Sequence, residues 1–172
     1  MRCKMTLEEL EKRLKGTEKR LQEVEERIAI SEDIEQIKQL HIRYVNALTF
    51  VKWDDVIDCF AEDSSIDVQF GGLIKGKAKI AKFFKEMLSQ IHIGKEGIFV
   101  VHPLITVDGD RAKGNWLVYL MYADHRTWQS RYWIQGIYDA EYVRVNGSWK
   151  FSHLQWRPRL EPPGPPPPTV AP

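Results

Sequence analysis

GIFVVHPLITVDGDRAKGNWLVYLMYA, Gly97 to Ala123, is the stretch on which the fold turns. β-Branched and aromatic residues alternate here with polar ones, and an apolar period of two marks half-buried strands. The dipeptide Asp108-Gly109 interrupts the alternation, and Asn146-Gly147 interrupts a similar run further on. Both dipeptides tolerate positive φ and favour tight hairpin connections. The pattern predicts strands near residues 98–107, 112–123, 131–144 and 149–157, joined as an antiparallel meander. Long strands twist, so such a sheet curls, and helices laid across its concave side enclose a pocket.

Upstream of this stretch the period lengthens. A helix is expected from Asp33, whose carboxylate can cap free amides while Gln36 reaches back, with Ile34, Ile37, Leu40, Tyr44, Ala47 and Leu48 on its apolar face. A short helix follows around Trp53, Val56, Ile57 and Phe60, and a third from about Lys77 to Ile91 presents Ile80, Phe83, Phe84, Met87 and Leu88 at helical spacing. Between them Ile66, Val68 and Phe70 alternate as a short strand. Helices first and a meander afterwards make an α+β domain, a curled antiparallel sheet covered by N-terminal helices, over residues 31–157.

The ends differ in character. Residues 1–30 are rich in Glu, Lys and Arg, yet Leu7, Leu10, Leu14, Thr17, Leu21, Val24 and Ile28 recur at alternating spacings of three and four. That is a coiled-coil-like seam, too narrow for a globular core, and it needs a partner strip. Either the chain's own domain or a helix of another chain could supply it. Residues 158–172 hold eight of the nine prolines. Such a tail is expected to run extended and solvated, with a ligand for a proline-binding module as the functional alternative.

The 172 residues carry 25 basic and 24 acidic side chains, a net charge of +1. Without clustered positive charge, neither nucleic acid nor an anionic membrane is an expected partner. No apolar run reaches the ~18 residues of a membrane span, and no leader pattern stands at the N-terminus, so a cytoplasmic location is expected. Cys3 and Cys59 are too few for a disulfide framework. Cys59 is expected to be a buried, inert thiol. There is no glycine-rich phosphate loop, and His41, His92, His102, His125 and His153 lack ligand spacing, so no metal or cofactor is expected.

One residue stands out. Tyr44 lies on the apolar face of the helix expected to cover the sheet, and a buried tyrosine must find a partner for its hydroxyl. It is either a core tyrosine bonded to the backbone, or a phenol that donates to a ligand or acts as an acid in a pocket.

Three runs resemble the SnoaL-like branch of the nuclear-transport-factor-2-like superfamily: IKQLHIRYVNALTFVKWDDVIDCFAED (Ile37–Asp63), HPLITVDGDRAKGNW (His102–Trp116) and YDAEYVRVNGSWKF (Tyr138–Phe151). Within it the chain is most similar to the bile-acid 7α-dehydratase-like proteins. The resemblance implies a cone-shaped α+β domain, assembled as a dimer or trimer, around a cavity for a steroid-, polyketide- or terpenoid-like molecule. It also implies acid–base residues at four positions. The tyrosine matches Tyr44, but the helix aspartate falls on Thr49, the strand histidine on Ile98 and the second aspartate on Leu120. Isoleucine and leucine cannot take a proton, so most of the family's dehydratase set is replaced.

Two functions from different classes follow. The first is a binding protein whose apolar ligand is oriented by Tyr44 and walled by Thr49, Trp53, Ile98, Trp116, Val118, Leu120 and Trp133. The second is a cofactor-independent lyase or isomerase using Tyr44 with His102, His153 or the Asp124-His125-Arg126 cluster as a non-standard base. A third makes the domain a non-catalytic assembly module. Arg131, Trp133 and Gln135 share strand parity and either face a ligand or face solvent.

Overall fold

The computed structural model describes residues 6–68, 71–124, 126–127 and 129–160. Helix α1 runs without interruption from Leu7 to Thr49. Thr6 caps it, its hydroxyl accepting from the Glu9 amide at 3.3 Å while the Glu9 carboxylate accepts from the Thr6 amide at 2.8 Å. The expected helix start at Asp33 is therefore corrected, since no Gly or Pro separates the charged segment from the domain helix and local propensity carries the helix through. The Asp33 carboxylate instead accepts hydrogen bonds from Arg144 at 2.6 Å and from the Trp149 indole at 3.1 Å, which pins α1 to the sheet.

Short helix α2 (Trp53–Asp58) leads into strand β1 (Phe60–Val68), which turns back as β2 (Gly72–Lys75). Helix α3 (Lys77–Lys82) relaxes into a wider π turn over Phe83–Met87 and ends in a 3-10 turn at Leu88–Gln90. The third expected helix thus forms with its pitch changing along its length. Strands β3 (Gly97–Asp108), β4 (Arg111–Ala123), β5 (Ser130–Val145) and β6 (Ser148–Leu160) are the expected meander. Gly109 takes φ +56°, and Asn146 and Gly147 take +50° and +78°, the positive values their turns require.

The six strands form one curled, unclosed sheet in the order β2-β1-β6-β5-β4-β3. It is not wholly antiparallel: β1 lies parallel to β6, Ile66 opposite Leu154. The α3 segment takes the chain from β2 at one edge of the sheet to β3 at the other, so the meander that follows brings β6 back beside β1 in the same direction. β3 is an edge strand, and a bulge between Val101 and Leu104 accommodates Pro103 where its missing N–H breaks no central ladder. β6 also runs past the expected domain end, with Pro158 opposite Gly136. Among the described residues its pairing with β1 ends with Val68 opposite Trp156. The rest of the tail, and Phe70, lie outside the described residues.

α1 packs on the concave face through Ile37, Leu40, His41, Tyr44, Val45, Ala47 and Leu48. His41 is fully buried, its ring centroid 4.3 Å from that of Trp116. The Tyr142 hydroxyl accepts from the Trp116 indole at 2.9 Å and lies 3.0 Å from His41 Nδ1. The phenol thus bridges the indole and the imidazole, and the imidazole tautomer sets which of hydroxyl and Nδ1 donates. Nε2 has no hydrogen-bond partner, and burial lowers the His41 pKa to about 3.

Candidate functional site

Between the inner end of α1, the α3 segment and the sheet lies an apolar hollow. Leu48, Phe83, Phe84 and Leu88 form its helical roof, and Ile66, Val68, Leu120, Leu154 and Trp156 its floor. The cavity volume is about 50 Å³. The hollow is therefore narrow, suited to a flat or slender occupant. Its polar groups come from Tyr44, Tyr122, Tyr138 and His92.

Tyr44 projects from α1 into this hollow beside Tyr138 of β5, their ring centroids 6.1 Å apart and edge-on. Burial pushes Tyr44 well above the usual phenol range, with Tyr138 adding to the shift. Burial also raises Tyr138, to about 12, although Tyr44 beside it opposes the rise. Both phenols are thus neutral hydrogen-bond donors near pH 7. Each phenol at the wall carries one O–H that can meet a ligand oxygen.

His92 follows the α3 segment and also lines the hollow. Four residues on, Glu96 is buried, and its carboxylate accepts from the amides of Ile93 (3.0 Å), Gly94 (2.9 Å) and Lys95 (3.1 Å). Gly94 takes φ +78°, which lets the loop fold around that carboxylate. His92 Nδ1 lies 4.0 Å from Glu96 Oε2, beyond hydrogen-bond length, and has no partner. Burial lowers the His92 pKa more than the attraction of Glu96 raises it, so the imidazole is neutral near pH 7.

The residues singled out from the sequence are scattered around this centre. Tyr44 and Leu120 line the hollow. Ile98, Trp116 and Val118 are buried beside it in the core without lining it. Thr49 ends α1 half-buried, and Trp53 packs on Phe84 with ring centroids 6.2 Å apart. Trp133 is half-exposed on the outer face of the sheet, its ring centroid 6.1 Å from that of Tyr119. Gln135 shares that outer face and donates to the Tyr119 hydroxyl at 2.8 Å. The side chain of Arg131 lies outside the described residues.

His102 is exposed at the β3 bulge with φ +52°, away from the hollow, because the bulge around Pro103 resets the strand's alternation. His153 lies opposite Glu141 and bonds to the Ser65 hydroxyl at 2.8 Å, and it does not line the hollow. Asp124 accepts from the amides of Arg126 and Thr127 in a tight turn, while His125 is outside the described residues. Cys59 is fully buried, and burial raises its thiol pKa. Among the described residues, no cluster of His, Cys, Asp and Glu could hold a metal ion. Among them, too, no helix is long and apolar enough to cross a membrane.

Sequence reasoning missed Tyr138, His92 and Glu96. Tyr138 could have been found from strand parity, since it pairs with Trp116 on the inner face. His92 and Glu96 sit in a loop without periodicity, and nothing local announces them.

The model of the SnoaL-like domain family matches residues 29–155. No curated protein matches the sequence. Solved structures share the fold at low identity. A protein of unknown function from Mycobacterium tuberculosis is 20% identical, with 79% of this chain and 75% of that one covered and a TM-score of 0.66. A hexachlorocyclohexane dehydrochlorinase from Novosphingobium barchaimii is 20% identical over 75% of this chain and 88% of its own, with a TM-score of 0.65. A proposed scytalone dehydratase from Novosphingobium aromaticivorans is 17% identical over 81% and 95%, with a TM-score of 0.66. At these identities the likeness establishes the fold alone.

Proposed function

The chain belongs to the SnoaL-like domain family, of nuclear-transport-factor-2-like fold, and on that premise we propose that it binds a slender apolar small molecule in the hollow beneath α1. The observation that carries the reading is the Tyr44–Tyr138 phenol pair set in otherwise apolar walls. A ligand that fits carries a largely hydrocarbon frame, of steroid, polyketide or terpenoid type, and a carbonyl or hydroxyl oxygen to accept from a phenol O–H. The bile-acid-dehydratase-like positions Thr49, Ile98 and Leu120 supply no base, which favours binding over that family's elimination chemistry.

Native mass spectrometry of the purified protein tests this, with a retained hydrophobic compound as the expected result. Leu120→Trp fills the floor and should abolish retention. Tyr44→Phe should weaken binding by roughly 3–10-fold, the worth of one neutral hydrogen bond. Retention unchanged by Leu120→Trp would place the compound elsewhere and end the proposal.

One observation favours a catalytic variant of the same reading, a lyase or isomerase: His92 is a neutral imidazole at the wall, with the Glu96 carboxylate behind it. On a ketone ligand, His92 would take a proton from the carbon beside the carbonyl. The C–H electron pair would form the enolate, whose oxygen the phenol pair would hold. Return of the proton to another carbon isomerises the ligand, and loss of a β-hydroxyl with that proton dehydrates it. Deuterium uptake from heavy water into an apolar ketone such as 2-tetralone, lost in His92→Gln, is the expected signature. Equal uptake by that variant would exclude His92 as the base.

A further inference from the structure

Residues 7–31 of α1 stand clear of the domain with every side chain exposed. Leu7, Leu14, Leu21 and Ile28 occupy position a of a seven-residue repeat, and Leu10, Thr17, Val24 and Ser31 occupy position d. The domain does not cover this seam. At 3.6 residues per turn, the domain-facing residues Ile37, His41, Tyr44 and Leu48 lie roughly 150° around the helix from Val24 and Ile28. The globular part hangs on one side of α1, and the seam looks the other way. A helix without tertiary packing is marginal in water, and Gly16 weakens this one further.

The flanking charges say what covers the seam. Position e is Glu11, Glu18, Glu25 and Glu32, and position g is Arg13, Arg20 and Arg27. In a parallel, in-register coil each g residue faces the e residue of the next heptad on the other strand. Arg13 then meets Glu18, Arg20 meets Glu25 and Arg27 meets Glu32, and each pairing occurs in both directions. In an antiparallel coil g faces g and e faces e, so arginine would meet arginine and glutamate would meet glutamate, which like-charge repulsion opposes. The pattern complements itself in one orientation only.

We propose that residues 7–31 form a parallel, in-register coiled coil with a further copy of the same chain. Because α1 continues unbroken into the domain, the globular parts lie at the same end of the coil, each on the outer side of its own helix.

The test uses the full-length chain with Cys3→Ser and Leu10→Cys. Mild oxidation should convert most of it to covalent dimer, since parallel register brings the two position-10 side chains together. Antiparallel pairing would set position 10 against position 28. A mixture of Leu10→Cys and Ile28→Cys chains of distinguishable mass should therefore give links between like chains only. A link between unlike chains, or no link at all, overturns the proposal.

A second measurement isolates the charges. Combined Arg13→Glu, Arg20→Glu and Arg27→Glu makes every flank acidic and should cut linking through position 10 at least tenfold. Mixing with Glu18→Arg, Glu25→Arg and Glu32→Arg chains that also carry the position-10 cysteine should restore it. These sites are exposed, so the domain's near-ultraviolet circular dichroism should stay constant. Linking unaffected by the reversal would refute the charge argument, even if the domains associate by other surfaces.

Discussion

His41 should make the protein acid-labile in a window that its environment defines. The imidazole is fully buried against Trp116, Tyr138 and Phe151, and its pKa falls from 6.5 to about 3. Between those values the unfolded chain binds a proton at this site that the folded chain refuses. The neutral-pH stability is therefore complete above pH 6.5 and declines as pH falls through the window. The decline is about 1.4 kcal/mol per pH unit, reaching about 2.7 kcal/mol at pH 4.5. Against typical domain stabilities of about 5–15 kcal/mol that is a substantial fraction.

His41→Gln tests the argument because glutamine does not titrate, while its amide can still accept from the Tyr142 hydroxyl. Urea unfolding at fixed protein concentration, followed by tryptophan fluorescence at pH 7.5, 5.5 and 4.5, gives the two slopes. The wild type should lose about 2–3 kcal/mol more than His41→Gln between the extremes, since the other titrating groups are common to both proteins. Equal slopes would show that the imidazole ionises freely in the folded state, and the buried-neutral description of the core would be wrong.

Three further outcomes follow from the packing. Tyr142→Phe strips the acceptor from the Trp116 indole and the partner from His41 Nδ1, and should destabilise by about 1–3 kcal/mol in the same urea assay. Gly136→Ala places a methyl group 2.8 Å from Trp156 Nε1 and 2.9 Å from the Arg157 carbonyl oxygen, and since the latter is backbone, the β5–β6 pairing must shift, costing about 1–3 kcal/mol. Asp33→Ala frees α1 from Arg144 and Trp149, and loss of these charge-assisted bonds should cost about 1.5–3 kcal/mol and raise amide exchange in the segment of α1 just before Ile37.

Much of the fold was legible. The strands of the meander formed within a few residues of their expected bounds because alternation is local. The helix start at Asp33 failed for the opposite reason: a capping pattern is a local option, and the continuing helix plus the bonds from Arg144 and Trp149 outcompeted it. Tyr44 could be placed on the inner face by helical spacing alone, but the residue beside it could not be identified. Its neighbour in the hollow, Tyr138, lies 94 positions along the chain, on a strand whose register depends on two hairpins. His102 looked available until the bulge beside Pro103 turned it outward.

The order of residues alone settled where the chain alternates, where it coils and which charges flank the seam of α1, because each is a relation among neighbours within a turn or two. Only the tertiary structure decided that β1 runs parallel to β6, that the seam faces away from the domain, and that a hollow survives between α1 and the sheet. Those outcomes depend on how distant segments share space. Whether facing side chains fill a gap or leave it open is a property of their combined volumes, which no single segment carries.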